Sequence, residues 1–153
     1  MLKAIARKDL VAILKPLLDY LSLSFLIGLV AVWASENLFW SAPPDDLNAL
    51  SLLLTWIAYS LCVSAALSAA ILTGVAGWKA LFLGGAILGF LVEGVVVGTM
   101  YEAFPAQIVW TPLAWHALIT SWAVFGLCRA AMHWPLWKQV AGWLLVGLFG
   151  ATF

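Results

Sequence analysis

Four stretches of this chain, residues 21–40, 48–73, 78–101 and 109–131, each run for 20 residues or more with scarcely a charge in them. Crossing the hydrocarbon layer of a bilayer takes about 20 consecutive apolar residues. A water-soluble domain of 153 residues has no interior large enough to bury four helices of that kind on every side. Composition points the same way: 65% of residues are apolar and 9% charged, against about 45–50% and about 25% in soluble domains. The expected fold is an all-α integral membrane protein, a single bundle of about five transmembrane helices with no second domain.

The fifth span, residues 138–153, is apolar but only 16 residues long. At 1.5 Å per residue it reaches about 24 Å, short of the roughly 30 Å hydrocarbon thickness. It is either a short or interfacial helix, or the biological chain continues past Phe153.

Residues 1–20 have a different character. Lys3, Arg7, Lys8 and Lys15 alternate with Leu2, Ile5, Leu10, Val11, Ile13 and Leu14 at near-helical spacing, the pattern of a basic amphipathic helix on the inner membrane surface. Pro16 marks its end or a bend; the alternative is that these residues extend the first span inward. The run from Leu21 to Trp40 is too long for a secretory signal and lacks a small-residue cleavage site, so it reads as a retained first span.

The connections carry turn chemistry. Pro43, Pro44, Asp45, Asp46 and Asn48 feed the second span, Gly74 to Gly77 form a tight turn, and Phe104-Pro105 and Trp134-Pro135 break the chain around the fourth span. Charge then orients the bundle. All seven basic residues (Lys3, Arg7, Lys8, Lys15, Lys79, Arg129 and Lys138) fall on one side of the expected layer, and Glu36, Asp45, Asp46 and Glu102 on the other. The positive-inside rule places the N-terminus in the cytoplasm and Phe153 outside, with a bacterial or archaeal cytoplasmic membrane as the expected location. Trp40, Tyr101 and Trp110 would mark the outer interface, and Trp78, Trp134 and Trp137 the inner one.

Glu93 is the acidic residue set well inside a span, where a carboxyl group without a partner costs about 2–3 kcal/mol or more. Counted from the expected outer boundary, Glu93 and His116 both lie about 12 Å deep, which permits a direct contact between antiparallel neighbours. Ser51, Thr55 and Tyr59 stand four apart on one face of the second span, and Thr120 lies one turn from His116. The expected site is therefore Glu93, His116, Tyr59, Thr55 and Thr120, opening outward, with Glu36, Tyr101, Glu102 and Trp110 at its rim. Glu102, nine residues from Glu93, points to the opposite side of the helix. A purely structural hydrogen bond between Glu93 and His116 is the competing reading.

Gly85, Gly89, Gly94 and Gly98 give the third span small-xxx-small spacing, suited to close packing on the alanines of the second span, or to a homo-oligomer or larger membrane complex. The high tryptophan count, ten residues, fits interfacial anchoring, and Trp56, Trp115 and Trp122 could wall a ligand. No basic block suited to phosphate neutralisation is present, so nucleic acid is not an expected partner. Cys62 and Cys128 form no CxxC and lie at different depths, which argues against a disulfide. A catalytic zinc needs three protein ligands, and only His116 lies at the right depth, His133 being interfacial; no metal or cofactor is assigned. HExxH, GxSxG and paired-glutamate motifs are absent. The leading expectation is a small-solute or ion-handling membrane protein, a transporter component or binding subunit. A non-catalytic subunit of a larger complex, or an intramembrane enzyme using Glu93 and His116, are the alternatives.

Overall fold

A computed structural model describes residues 7–37 and 48–150, so the whole 38–47 connection, Trp40 included, and the two chain ends lie outside the described residues. Among the described residues, five helices follow one another. Helix α1 (Arg7–Val32) passes into a π-helical segment, Trp33–Asn37; α2 is Ala49–Thr73; α3 (Gly77–Leu91) also ends in a π segment, Val92–Val96. After a 3₁₀ turn at Thr99–Tyr101, α4 (Ala106–Ala131) is wound as π-helix from Val109 to Phe125, and α5 is Leu136–Gly150. No strand occurs among the described residues.

Among the described residues, four helical stretches are long and apolar enough to cross a membrane: Leu14–Glu36, Ala49–Thr73, Gly77–Val96 and Ala106–Ala131. The 15 residues of α5 reach only about 22 Å, so length supports four crossings and not the expected five. Leucine, valine and tryptophan side chains cover much of the exposed surface, as suits contact with lipid.

Two helix boundaries differ from those expected. Pro16 lies inside α1, and the helix runs unbroken past Tyr20. A proline removes one ladder hydrogen bond, and here α2 holds the segment from the side: Tyr20 Oη donates to the Ser64 carbonyl at 2.6 Å and lies 2.7 Å from Ser68 Oγ. At the other extreme, the third span stops at Val96 instead of Tyr101. Gly98, at φ +83°, takes the left-handed conformation that ends a helix, and the β-branched run Val95, Val96, Val97 before it is a weak helix former.

The turns behave as their residues dictate. Asn48 Oδ1 accepts from the backbone of Leu50 and Ser51 at 3.0 Å, while Ser51 Oγ accepts from the Asn48 N–H at 3.1 Å, closing a capping box on α2. Gly74 and Gly77 adopt φ +67° and +66°, which lets the chain reverse within a few residues.

Helices pack in sequence, α1 on α2, α2 on α3 and α3 on α4, and the π segment of α1 reaches α4. The buried apolar cluster holds Ala31, Val32, Tyr59, Cys62, Val63, Leu88 and Val92. The glycine face of α3 meets α4 and not the alanines of α2. A Cβ on Gly85 would stand 2.4 Å from Ser121 Cβ, and one on Gly89 would stand 2.4 Å from the Pro112 carbonyl oxygen. Both glycines are thus consumed within the chain and are not free for an external partner. Gly94 is covered by the Met100 side chain, and Gly98 serves the turn. Along the π-wound part of α4, Pro112, His116, Thr120 and Val124 are all buried, a repeat of four that exceeds the 3.6 residues of an α turn.

Candidate functional site

The polar groups of the bundle gather where α1 ends, α3 ends and α4 begins. His116, 1% exposed, and Glu93, 8% exposed, meet directly, with Nε2 2.8 Å from Oε1. The other carboxylate oxygen of Glu93 accepts from Thr99 Oγ1. The other imidazole nitrogen, Nδ1, lies 3.3 Å from Ser35 Oγ, which in turn lies 3.1 Å from Thr120 Oγ1. Trp115 Nε1 donates to the Ser35 carbonyl at 3.3 Å. Beside this chain, Tyr59 Oη donates to Glu36 Oε1, and the Tyr59 and His116 rings lie 6.3 Å apart between centroids.

Hydroxyl groups can donate or accept, so the chain has two polarities. With neutral His116 donating from Nε2 to Glu93, Nδ1 accepts from Ser35, and Thr120 donates to Ser35. With protonated His116, Nδ1–H donates to Ser35, whose hydroxyl turns to Thr120. Either state satisfies the imidazole without moving a heavy atom. Among the described residues, every buried side-chain nitrogen and oxygen has a hydrogen-bond partner.

A cavity of about 350 Å³ adjoins the chain, lined by Ser35, Glu36, Glu93, Val97, Thr99, Gln107, Trp110, Thr111 and Trp115. It contains two carboxylates and no lysine, arginine or histidine. Among the described residues, no three His, Cys, Asp or Glu side chains are grouped to hold a metal ion; Cys62 and Cys128 are free thiols.

Of the expected site residues, the structure brings together Glu93, His116, Thr120 and Tyr59, the last through Glu36. Glu36 belongs to the cavity wall and not merely to a rim, and Trp110 lines the same cavity. Thr55 is half-buried one turn before Tyr59 and lies outside both the cavity lining and these bonds. Tyr101 and Glu102 are exposed beyond the end of α3 and do not line the cavity. Glu93 itself sits in the terminal π segment, close to the end of α3, not eight residues inside the span.

Sequence reasoning missed Ser35, Thr99, Gln107 and Thr111. Ser35 carried a signal, a hydroxyl beside an acidic residue in an apolar run. Thr99 carried none, because a helix continued to Tyr101 would have turned it away from Glu93; the Gly98 turn folds it back. Set against protein-family models, curated proteins and solved structures, the chain matches none of them.

Proposed function

We propose that the chain is a multi-pass membrane protein that binds a small cation, or a small solute rich in hydrogen-bond donors, at the Glu36/Glu93 cavity, and that the incoming solute takes the Glu93 carboxylate from protonated His116, whose Nε2 proton passes to the water of the cavity and returns when the solute leaves. The observation that carries this reading is the 2.8 Å His116–Glu93 contact, made by a carboxylate that also lines the cavity. Intramembrane ionisable groups mark ion and substrate pathways by default. A solute displacing His116 from Glu93 leaves the imidazole a second polarity of its hydrogen-bond chain to fall back on. The indoles of Trp110 and Trp115 suit a cation at close range.

In this reading α5 completes a five-helix bundle as a short last span, and the basic start of α1 rests on the cytoplasmic face. The cavity then opens to the outside of a bacterial or archaeal cytoplasmic membrane. The asymmetric distribution of the basic residues supports that orientation.

The test is solute-driven proton movement in proteoliposomes containing a pH-sensitive dye, with a panel of small amines and alkali cations. The wild type should respond to at least one member, and Glu93→Gln and His116→Ala should not. Equal responses from all three proteins would overturn the proposal.

A further inference from the structure

A second feature lies toward the opposite end of the bundle, away from the polar chain. Where α1 and α4 part, an apolar cavity of about 230 Å³ opens between them over the α2–α3 pair. Its floor is made of small residues, Ala66, Ala70, Ala80 and Gly84; Ile27 and Phe125 flank it, and the one ionisable residue in its lining is Arg129. A second apolar groove, of about 440 Å³, shares those four small residues and extends to Thr73 and Val75 at the α2–α3 turn. The first reaches the same turn at Gly77. A Cβ built on Gly84 meets nothing within 4 Å, so the space is real and not filled by neighbours.

Empty apolar space forfeits dispersion contacts along its whole lining, and a void of about 150 Å³ already takes up a benzene molecule. In a bilayer the available filler is the acyl chain. Two grooves that converge on one turn suit a molecule with two chains and a single head. Arg129, in the last turn of α4, and Lys79, exposed in the first turn of α3, sit at that same end. The Lys15 ammonium and the Asp19 carboxylate of α1 satisfy each other at 2.8 Å. Basic pockets between transmembrane helices are where anionic lipid head groups bind.

We infer that the small-residue ridge between α2 and α3 is a site for one anionic diacyl phospholipid, its chains lying in the two grooves and its phosphate at Arg129. The site is independent of Glu93 and His116.

Purified protein equilibrated with an equimolar mixture of phosphatidylglycerol and phosphatidylcholine, and weighed intact by native mass spectrometry, tests it. Wild type should retain one phospholipid, with phosphatidylglycerol favoured about fivefold by the cation near the head group. Arg129→Gln should lose the preference, and Arg129→Lys, which keeps the charge, should hold it. Gly84→Leu, which fills the shared floor, should lose the bound lipid of both kinds while still running as a monodisperse protein. Undiminished phosphatidylglycerol preference in Arg129→Gln, undiminished lipid in Gly84→Leu, or retention of free fatty acid in place of phospholipid would each overturn the inference.

Discussion

Gly89 lies directly against His116: a Cβ at residue 89 would stand 2.8 Å from His116 Cβ and 2.7 Å from Pro112 Cα. The absence of a side chain there lets the backbones of α3 and α4 approach until the imidazole reaches Glu93, one turn further along α3. The closeness of the helices and the chemistry of the site therefore have one cause.

Substitution at the glycines should separate tight positions from open ones. Gly89→Leu must displace backbone atoms of Pro112, and overpacking of this kind costs about 1–3 kcal/mol or more. Gly84→Ala meets no atom within 4 Å and gains about 0.5–1 kcal/mol from helix propensity. Thermal unfolding in detergent should show a lower midpoint for the first and an equal or higher one for the second. A Gly89→Leu protein as stable as wild type would show that the helices do not pack this closely.

Glu93→Gln and His116→Ala should differ in stability while sharing a loss of function. Glutamine keeps the shape and a hydrogen bond to His116, so its melting temperature should stay near that of wild type. Alanine at 116 strands a buried carboxylate, at a cost of about 1–3 kcal/mol. Affinity for a cationic solute should fall at least about tenfold in Glu93→Gln, the equivalent of losing one hydrogen bond to a charged group. Calorimetric titration in detergent measures both variants on one scale.

Tyr59→Phe preserves the ring in the apolar cluster but removes the donor to Glu36. A loss of about 1.5 kcal/mol is expected, the lower end for a hydrogen bond to a charged group, because the half-buried Glu36 carboxylate can still reach the cavity. Thr55→Val, one turn away and outside the hydrogen-bond chain, should change stability by less. Chemical unfolding curves of the two proteins, compared side by side, decide the point.

Orientation can be read with reporters inserted at two turns. An enzyme active only outside the cytoplasm should work when placed after Glu102 and fail when placed between Gly74 and Gly77. The reverse pattern would invert the proposed topology and turn the cavity toward the cytoplasm.

Length and hydropathy made the four long helices readable from the sequence, and residue chemistry made the Gly74–Gly77 turn and the Asn48 cap readable as well. The meeting of Glu93 and His116 is legible as two ionisable groups at one expected depth, but the depth itself comes out too large, because valine and glycine are common inside membrane spans and Val95–Gly98 does not by itself mark an end. The partner of Glu36 is not legible, since depth alone sets Tyr59 against Glu93 and His116 as readily as against Glu36. Ser35 and Thr99 escaped for a common reason: each gains its role from a change in winding, the π segment that closes α1 and the left-handed turn after α3. A fixed α-helical period does not represent either change. The glycine ridge is legible as a packing surface, but small-residue spacing does not say which helix it meets, and the close approach of Ser121 and Pro112 assigns it to α4 instead of the alanines of α2.

The hydrogen bonds of Ser35 fasten α1 to α4 at one end, while toward the other end an apolar gap separates Ile27 from Phe125. Two rods pinned near one end and splayed further along enclose a wedge, so the tight polar end and the open apolar end are two consequences of one arrangement of α1 and α4.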